Sequence, residues 1–463
     1  MAPHPVIRSS ILYQNAARDI TLVDIPTSIA VAQGRSDVLL STPPLEAPIE
    51  PKEDYRPKAQ TPQAREPSDA AKHAVYKTLI QQALADIHSN VASEWCAPRR
   101  LLTQRPQHGD TMDIDDPEKE LETQMREWAA CEDSKGDDNA FDLQAMMASL
   151  GATSEHGATP IVAQGWTASY SAAREATSGT QVAETVTREP WSSSFHNPEK
   201  TSLHMTVSKE GQLGAKYRFT IPPHSTFFLG DTTQPEHFRT SFRRITDEHT
   251  LPRHFDLVLL DPPWPNRSAK RKNAYDQSGG MPYIKRMLLR MDLEAYMEHN
   301  ALVGVWVTNK STLREHVLGP GGLFETWNVG LIEEWIWIKT TTKGEPMFDI
   351  DTGAAMRKPY EVLLLGRAAP DSWTTMAHAT NVKLRVIAAV PGIHSRKPCL
   401  KELLEEYMPD STDYAALEVF SRYLVPGWTS WGNEVLKYNW NYYWANEAVV
   451  EARSEHKLPM RMA

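Results

Sequence analysis

Cysteine is scarce in this 463-residue chain, which contains only Cys96, Cys131 and Cys399. A disulfide-stabilised framework needs more cysteines at closer spacing, and a zinc site needs paired ligands. The sequence therefore predicts a reducing, intracellular environment and no metal site.

Long apolar runs are also absent. The sequence has no stretch of 18 apolar residues and no signal-peptide core, so we expect no membrane partner. The first 18 residues contain Arg8 and Arg18 and no acid. Two interpretations stay open for this start, a transit peptide and a disordered segment, and the second is favoured.

Positive charge is in deficit, since the formal net charge is −10. Between Asp110 and Asp138 there are 12 acids and 3 bases, a net of −9 that leaves −1 for the remainder. Such a stretch predicts a solvated loop or tail. It does not exclude a basic site elsewhere in the chain.

The N-terminal part divides into two regions. Residues 1–70 contain ten of the 33 prolines, which predicts mostly extended or disordered chain. Residues 71–200 are predicted to be a helical region that includes the acidic loop 110–138. Apolar residues at four-residue steps predict a helix over 72–97, ended by Pro98.

Residues 201–450 have the sequence pattern of an α/β domain, and a tail is predicted over 451–463. Strands that alternate with helices predict a mostly parallel sheet covered on both sides, with ligands at the carboxyl ends of its strands. The predicted strands are YRFTI (217–221), FFLG (227–230), FDLVLL (255–260), ALVGVWVT (301–308), LIEEWIWIK (331–339), YEVLLLG (360–366), KLRVIAAV (383–390) and ALEVF (416–420). The predicted helices are Met281–His299, Ser311–Val317 and Lys397–Tyr407.

The tetrapeptide Asp261–Trp264, DPPW, directly follows the apolar strand FDLVLL. Pro262 and Pro263 lack N–H groups and fix φ near −65°, so the turn is rigid and holds the Asp261 carboxylate beside a backbone carbonyl. Two neighbouring acceptors suit a group with two N–H donors, such as an amine on an aromatic ring. Trp264 offers a face for stacking, and the alternative is a plain proline turn.

The chemistry that this arrangement suits is methylation of an exocyclic amine. The nitrogen is a poor nucleophile because its lone pair is delocalised into the ring. Hydrogen bonds to Asp261 and to the Pro262 carbonyl would favour a tetrahedral nitrogen and stabilise the positive charge that develops on it.

The sequence resembles the adenine amino-methyltransferases with a DPPW motif, the MT-A-seventy-like family, and within it the methyltransferase-like type four branch. The likeness covers roughly residues 215–445. Its motifs, in order, are IPPHSTFFLGD (221–231), DPPWPNRSAKRKNAY (261–275), VWVTNK (305–310), EEWIWIK (333–339), KPYEVLLLGR (358–367), HSRKP (394–398) and VPGWTSWGNEVLK (425–437).

The resemblance implies a Rossmann-like S-adenosylmethionine-dependent methyltransferase fold with a permuted strand order over 201–450. It implies S-adenosyl-L-methionine as the cofactor and Asp261, Pro262, Pro263 and Trp264 as the catalytic turn. It further implies cofactor contacts by Asp261, Lys397, Glu418, Arg422, Asn433 and Glu434. The point charge of Lys397 would face the carboxylate of the cofactor.

A basic loop follows the catalytic turn directly. Its position predicts contacts with nucleic-acid phosphates, and the alternative is a solvated loop or a nuclear-localisation patch. Its predicted nucleic-acid-binding residues are Asn266, Arg267, Lys270, Arg271 and Lys272.

The resulting hypothesis is an enzyme that methylates N-6 of adenine in RNA, such as small nuclear RNA, or in DNA. An unpaired or flipped adenine is the expected target, because extraction from a duplex costs free energy. The resemblance favours a nuclear monomer, with mitochondrial or cytoplasmic locations as alternatives. Rival hypotheses are a catalytically inactive nucleic-acid-binding subunit, disfavoured by the intact DPPW, and a small-molecule amine methyltransferase, disfavoured by the basic loop.

Overall fold

A computed structural model of the chain describes residues 9–50, 67–102, 117–130, 165–172, 187–209, 216–265, 280–350, 358–393 and 396–445. The chain divides into two compact units. Unit 1 comprises residues 1–106, 252–420 and 443–463, and unit 2 comprises residues 107–251 and 421–442. In the described part of the chain, no helix is both long and apolar enough to cross a membrane.

The described residues form strands and helices that are numbered in chain order. The strands are β1 (Ile11–Gln14), β2 (Ile20–Val23), β3 (Val38–Leu39), β4 (Trp166–Ala172), β5 (Thr187–Pro190), β6 (Ser194–His196), β7 (Leu203–Lys209), β8 (Lys216–Ile221), β9 (Thr226–Leu229), β10 (Phe255–Leu260), β11 (Met297–Thr308), β12 (Val329–Lys339), β13 (Tyr360–Ala368), β14 (Lys383–Ala389), β15 (Ala416–Val419), β16 (Trp428–Gly432) and β17 (Trp444–Ala445). The α-helices are α1 (Ile25–Ala32), α2 (Pro67–Asn90), α3 (Pro117–Ala130), α4 (Pro235–His249), α5 (Gly280–Arg290), α6 (Ser311–Leu318), α7 (Leu323–Thr326) and α8 (Lys401–Leu404). Short 3₁₀ turns occupy Leu293–Tyr296, Glu405–Tyr407, Lys437–Asn439 and Asn441–Tyr443.

Unit 1 contains a sheet of strands in the order β1-β2-β14-β12-β13-β11-β10-β15. Six of these strands run parallel, whereas β1 and β13 run against their neighbours. The predicted mostly parallel, Rossmann-like α/β sheet is confirmed. The parallel strands end at one common edge, here called the carboxyl edge, and the antiparallel β13 begins there.

The strands of unit 1 form because their sequences suit burial on two faces. In β10, Leu257, Val258 and Leu260 are buried, and burying each such side chain stabilises the fold by about 1.5–3 kcal/mol. In β12 the adjacent acids Glu333 and Glu334 are also buried. Their side chains point to opposite faces, where Glu333 accepts from Arg385 and Tyr407, and Glu334 accepts from Lys72 and Tyr76 of α2.

Three predicted helix boundaries are wrong. The predicted helix Met281–His299 ends at Arg290, because Asp292 takes a left-handed φ of 50° and the chain then enters β11 at Met297. The segment 397–407 is helical only from Lys401. Helical torsions are disfavoured at Lys397, because the next residue is Pro398. Helix α2 ends at Asn90, eight residues before Pro98.

Residues 9–50 contain β1, β2, α1 and β3, which differs from the extended or disordered chain expected of residues 1–70. Asp24 caps α1, because its Oδ2 accepts from the N–H of Thr27 at 3.0 Å, and Pro26 occupies the first turn. Strand β2 joins the sheet beside β14, with Ile20 opposite Val386. Four-residue strands carry too little periodicity to be recognised without their partners.

Unit 2 contains an antiparallel sheet in the order β5-β4-β7-β8 and a group of three strands in the order β16-β9-β6. Three described strands, β4 to β6, thus lie within residues 71–200, which were predicted to be helical. The predicted strands 217–221 and 227–230 correspond to β8 and β9.

Part of the acidic stretch 110–138 folds as α3, which corrects the prediction of a solvated loop or tail for residues 117–130. Leu121, Met125 and Trp128 are fully buried, and their four- and three-residue steps define one apolar helix face. The Trp128 ring contacts Tyr217 at a centroid distance of 5.1 Å. The high count of acids in this stretch concealed the apolar stripe.

Candidate active site at the carboxyl edge of unit 1

The tetrapeptide Asp261–Trp264 forms a tight turn directly after β10. The carbonyl of Pro262 accepts the N–H of Trp264 at 2.7 Å. The indole Nε1–H of Trp264 donates to the carbonyl of Trp306 at 2.6 Å. The turn is therefore fixed both within itself and to β11.

One of the two lone pairs of the Pro262 carbonyl already accepts from Trp264. One part of the predicted amine-binding geometry needs correction. The side chain of Trp264 was expected to offer a stacking face, but the residue is only 6% exposed. Trp264 thus positions the turn, and the Asp261 carboxylate, 31% exposed, is its accessible acceptor.

Lys397 lies against the carboxylate of Asp261. Its Nζ donates to both Oδ1 and Oδ2 at 2.7 Å and lies 5.4 Å from the centre of the Trp306 ring. The neighbouring Arg396 is buried and donates from Nη1 to the carbonyl of Leu40 at 3.0 Å. That contact anchors the segment that presents Lys397.

Glu361 extends this charge pair. It lies at the start of the antiparallel β13, opposite Thr308 in β11, and therefore at the carboxyl edge. Its Oε2 is 3.4 Å from Nζ of Lys397, and its Oε1 accepts from Nζ of Lys339 at 2.5 Å. Burial alone would raise the pKa of Glu361, but the two lysines, Lys397 first, lower it to about 2.

The end of β11 contributes two further contacts at this edge. Asn309 donates from Nδ2 to the carbonyls of Lys358 at 3.1 Å and Tyr360 at 3.2 Å. Lys310 donates from Nζ to the carbonyl of Pro265 at 3.1 Å. These bonds hold the chain on both sides of the charge pair.

Glu418 occupies β15, where it lies opposite Leu259 of β10. This register places it two residues before the position of Asp261, near the same ends of two neighbouring parallel strands. Unit 1 therefore brings Asp261, Lys397 and Glu418 to one edge of its sheet.

The other three predicted cofactor residues, Arg422, Asn433 and Glu434, lie in unit 2. Glu434 Oε2 is 3.1 Å from Nε of Arg422 and 3.7 Å from Nζ of Lys437. Burial alone would raise the pKa of Glu434, but these two cations, Arg422 first, hold it below its ordinary value. Asn433 is half-buried beside this carboxylate in sequence.

The predicted nucleic-acid-binding residues Asn266, Arg267, Lys270, Arg271 and Lys272 lie outside the described residues. The described chain resumes with α5, on which Tyr283, Arg286 and Arg290 are exposed. Among the described residues, no group of three His, Cys, Asp or Glu side chains is arranged to hold a metal ion.

The MT-A70 family model matches residues 255–434. This range includes the DPPW turn, Lys397, Glu418 and the WGNE run. Residues 255–434 are thus similar to the MT-A70 family, and the resemblance that the motifs predicted is confirmed.

Two curated relatives illustrate the extent of the similarity to the MT-A70 segment. The N6-methyladenosine RNA methyltransferase MTA1 of Cryphonectria parasitica is 39% identical over 223 residues, which cover 48% of this chain and 61% of that protein. The human N(6)-adenine-specific methyltransferase METTL4 is 35% identical over 235 residues, which cover 49% of this chain and 44% of that protein. The chain thus spans less than two thirds of either relative.

Sequence reasoning missed three charged residues that the structure connects to this chemistry. Glu361 of β13 pairs with both Lys397 and Lys339 of β12, and Lys437 neutralises Glu434 in unit 2. Glu361 lies in the motif KPYEVLLLGR, at the start of an apolar strand, much as Asp261 follows the apolar strand β10. That pattern could have marked Glu361 as a site residue. No pattern in the sequence connects Lys437 with its partners on α3.

Proposed function

We propose that this protein transfers a methyl group from S-adenosyl-L-methionine to the N-6 amine of adenine in nucleic acid. The observation that carries the proposal is the Asp261 carboxylate, fixed at the end of β10 and bound by Lys397 through both oxygens. The match of residues 255–434 to the MT-A70 family model supports the same activity.

The charges at the carboxyl edge fit the amino-acid end of the cofactor. That end carries one ammonium and one carboxylate, for which Asp261 and Lys397 are the complementary partners. The cofactor supplies a methyl group on a positively charged sulfur. Glu418 in unit 1 offers a polar group suited to hydroxyls and ring edges. The resemblance implies such contacts for Arg422, Asn433 and Glu434 of unit 2 as well.

Asp261 has two tasks in the proposed reaction. Its carboxylate accepts an N–H of the adenine amine and so orients the nitrogen lone pair. It also offsets the positive charge that develops on the nitrogen, in a turn that needs no rearrangement to do so. In the structure, the Lys397 ammonium binds both oxygens of Asp261. If the carboxylate of the cofactor bound Lys397, one Asp261 oxygen would be released to accept the adenine amine.

The nucleic-acid class is the less determined part of the proposal. MTA1 of Cryphonectria parasitica is named an RNA methyltransferase, and a Caenorhabditis elegans relative, 33% identical over 218 residues, is named a DNA N6-methyl methyltransferase. We propose an unpaired or flipped adenine as the substrate, bound by a monomer in the nucleus. Imaging of a fluorescent fusion tests the location, and light scattering tests the monomeric state.

The deciding experiment compares the wild-type protein with Asp261→Asn. Purified protein and labelled cofactor are incubated with matched RNA, 2′-methoxy RNA, single-stranded DNA and duplex DNA, and the nucleosides are analysed by mass spectrometry. We expect N6-methyladenine from the wild type and a loss of at least a hundredfold in the variant. Asp410→Asn, at an exposed turn, is the control.

The results separate the rival hypotheses. A wild-type protein that binds nucleic acid and transfers no methyl group would be the inactive binding subunit. Full activity in Asp261→Asn would remove the amine acceptor from the mechanism.

The basic loop has its own test. Neutralising Arg267, Lys270, Arg271 and Lys272 together should flatten the dependence of substrate affinity on salt, because fewer counterions are released on binding. A slope equal to that of the wild type would show that this loop contacts no phosphate.

A further inference from the structure

Helix α3 lies outside the MT-A70 segment, yet its charged face is connected to a predicted cofactor residue within unit 2. Glu118 and Glu122, one helical turn apart, both contact Nζ of Lys437, at 2.8 and 2.7 Å. The same ammonium lies 3.7 Å from Oε2 of Glu434.

The cluster is balanced in charge. Its three acids are Glu118, Glu122 and Glu434, and its three bases are Arg126, Arg422 and Lys437. Arg126 lies one further turn along α3 and, with Arg422 and Lys437, holds the pKa of Glu434 down. Loss of any single charge would leave an uncompensated charge near a carboxylate whose side chain is 16% exposed.

Lys437 is the connecting residue, and its side chain is only 5% exposed. A buried ammonium is costly unless anions surround it. Burial would lower the pKa of Lys437, but Glu434 and then the neighbouring Tyr438 and Glu118 raise it above its ordinary value. The lysine therefore stays charged beside Glu434.

We propose that α3 is a positioning element of the cofactor site, in which Glu118 and Glu122 hold Lys437 where it fixes the Glu434 carboxylate. This inference rests on the proposed function, because Glu434 owes its cofactor role to that proposal. In this proposal, the acidic residues of α3 support binding of the cofactor rather than binding of the nucleic acid. Glu118, Glu122 and Lys437 act through Glu434 and need not touch the ligand.

The experiment measures binding of S-adenosylhomocysteine to the full-length chain by calorimetry, without nucleic acid and without turnover. We expect Glu118→Gln/Glu122→Gln to weaken binding about tenfold, equivalent to about 1.4 kcal/mol. Glu120→Gln is the matched control, since it removes a carboxylate from the same helix that contacts Gln124 and Tyr217. The control should bind like the wild type.

A merely structural role is distinguished by repeating the substitutions in a Glu434→Gln background. If α3 acts through Glu434, the tenfold effect should shrink to less than threefold there, because coupled residues are not additive. An equal loss in both backgrounds, or no loss in either, would overturn the proposal. Should the double variant not fold, Glu122→Gln alone serves the same cycle, with an expected threefold effect that should vanish in the Glu434→Gln background.

The failure of this inference differs from the failure of the proposed function. A wild-type protein that does not bind S-adenosylhomocysteine would refute both. If the wild type binds S-adenosylhomocysteine and Glu118→Gln/Glu122→Gln binds it equally tightly, only the role of α3 would be refuted.

Discussion

Replacing Glu361 by Gln should destabilise unit 1 in a pH-dependent manner. The substitution keeps the size of the side chain but removes the anion shared by Lys339, at 2.5 Å, and Lys397, at 3.4 Å. Two ammonium groups, with side chains 23% and 15% exposed, would then lose a partner. The expected cost is larger than for a surface ion pair, which contributes about 0–1 kcal/mol.

The magnitude follows from the pKa of Glu361. A decrease from the ordinary value of 4.5 to about 2 corresponds to an upper figure of about 3 kcal/mol in favour of the ionised, folded state. For a unit of this size, about 1 kcal/mol moves the melting temperature by roughly 2–4 °C. We therefore expect Glu361→Gln to melt about 6–12 °C below the wild type at pH 7.

The sign of the pH dependence is fixed by the direction of the pKa change. Because the pKa is lower in the folded than in the unfolded chain, the stabilisation is fully present above about pH 4.5 and is lost as the pH falls toward 2. At pH 3 roughly 1.5 kcal/mol should remain. The difference between wild type and variant should therefore shrink by about half between pH 7 and pH 3.

The assay is urea or thermal unfolding of both proteins at pH 7, 4.5 and 3, followed by fluorescence. Glu236→Gln is the control, because Glu236 is 60% exposed and lies 3.9 Å from Arg239. Equal stability of wild type and Glu361→Gln at pH 7 would refute the reasoning. So would a gap between them that is constant with pH.

Three other substitutions test neighbouring parts of the structure. Trp264→Phe removes the indole donor to the Trp306 carbonyl, and we expect a loss of about 1–3 kcal/mol in unfolding free energy together with a lower kcat; unchanged kcat would mean that the turn needs no such anchor. Lys397→Met should weaken S-adenosylhomocysteine binding at least tenfold by calorimetry, and an unchanged Kd would remove Lys397 from the site. Leu121→Ala leaves a cavity under α3 and should lower the unfolding free energy of unit 2 by about 2–5 kcal/mol in a urea titration; a loss below 1 kcal/mol would contradict the packing of that face.

The central strands were predictable because their sequences are continuous apolar runs. FDLVLL buries four of its six residues and YEVLLLG six of its seven, so a local pattern was sufficient to find β10 and β13. The direction of β13 was not predictable, since its reversal depends on pairing with β11 and β12. That reversal places Glu361 next to Lys397.

The N-terminal elements escaped prediction for a related reason. Strand β2 has four residues and owes its position to β14, more than 360 residues later in the chain. In α3, the acids that suggested a solvated stretch are partners of the distant Lys437. Contacts between residues far apart in sequence leave no periodic signal in either segment.

The antiparallel direction of β13 has a consequence for how substrate preference can evolve. Since β12 ends and β13 begins at the carboxyl edge, the connection over residues 340–359 starts and finishes on the side of the sheet that carries Asp261. Lys339 and Glu361 lie near the two ends of this connection and form an ion pair, and β12 pairs with β13 as far as Ile338 and Tyr360. Insertions between them can therefore reshape the approach to Asp261 while the strands beneath stay the same.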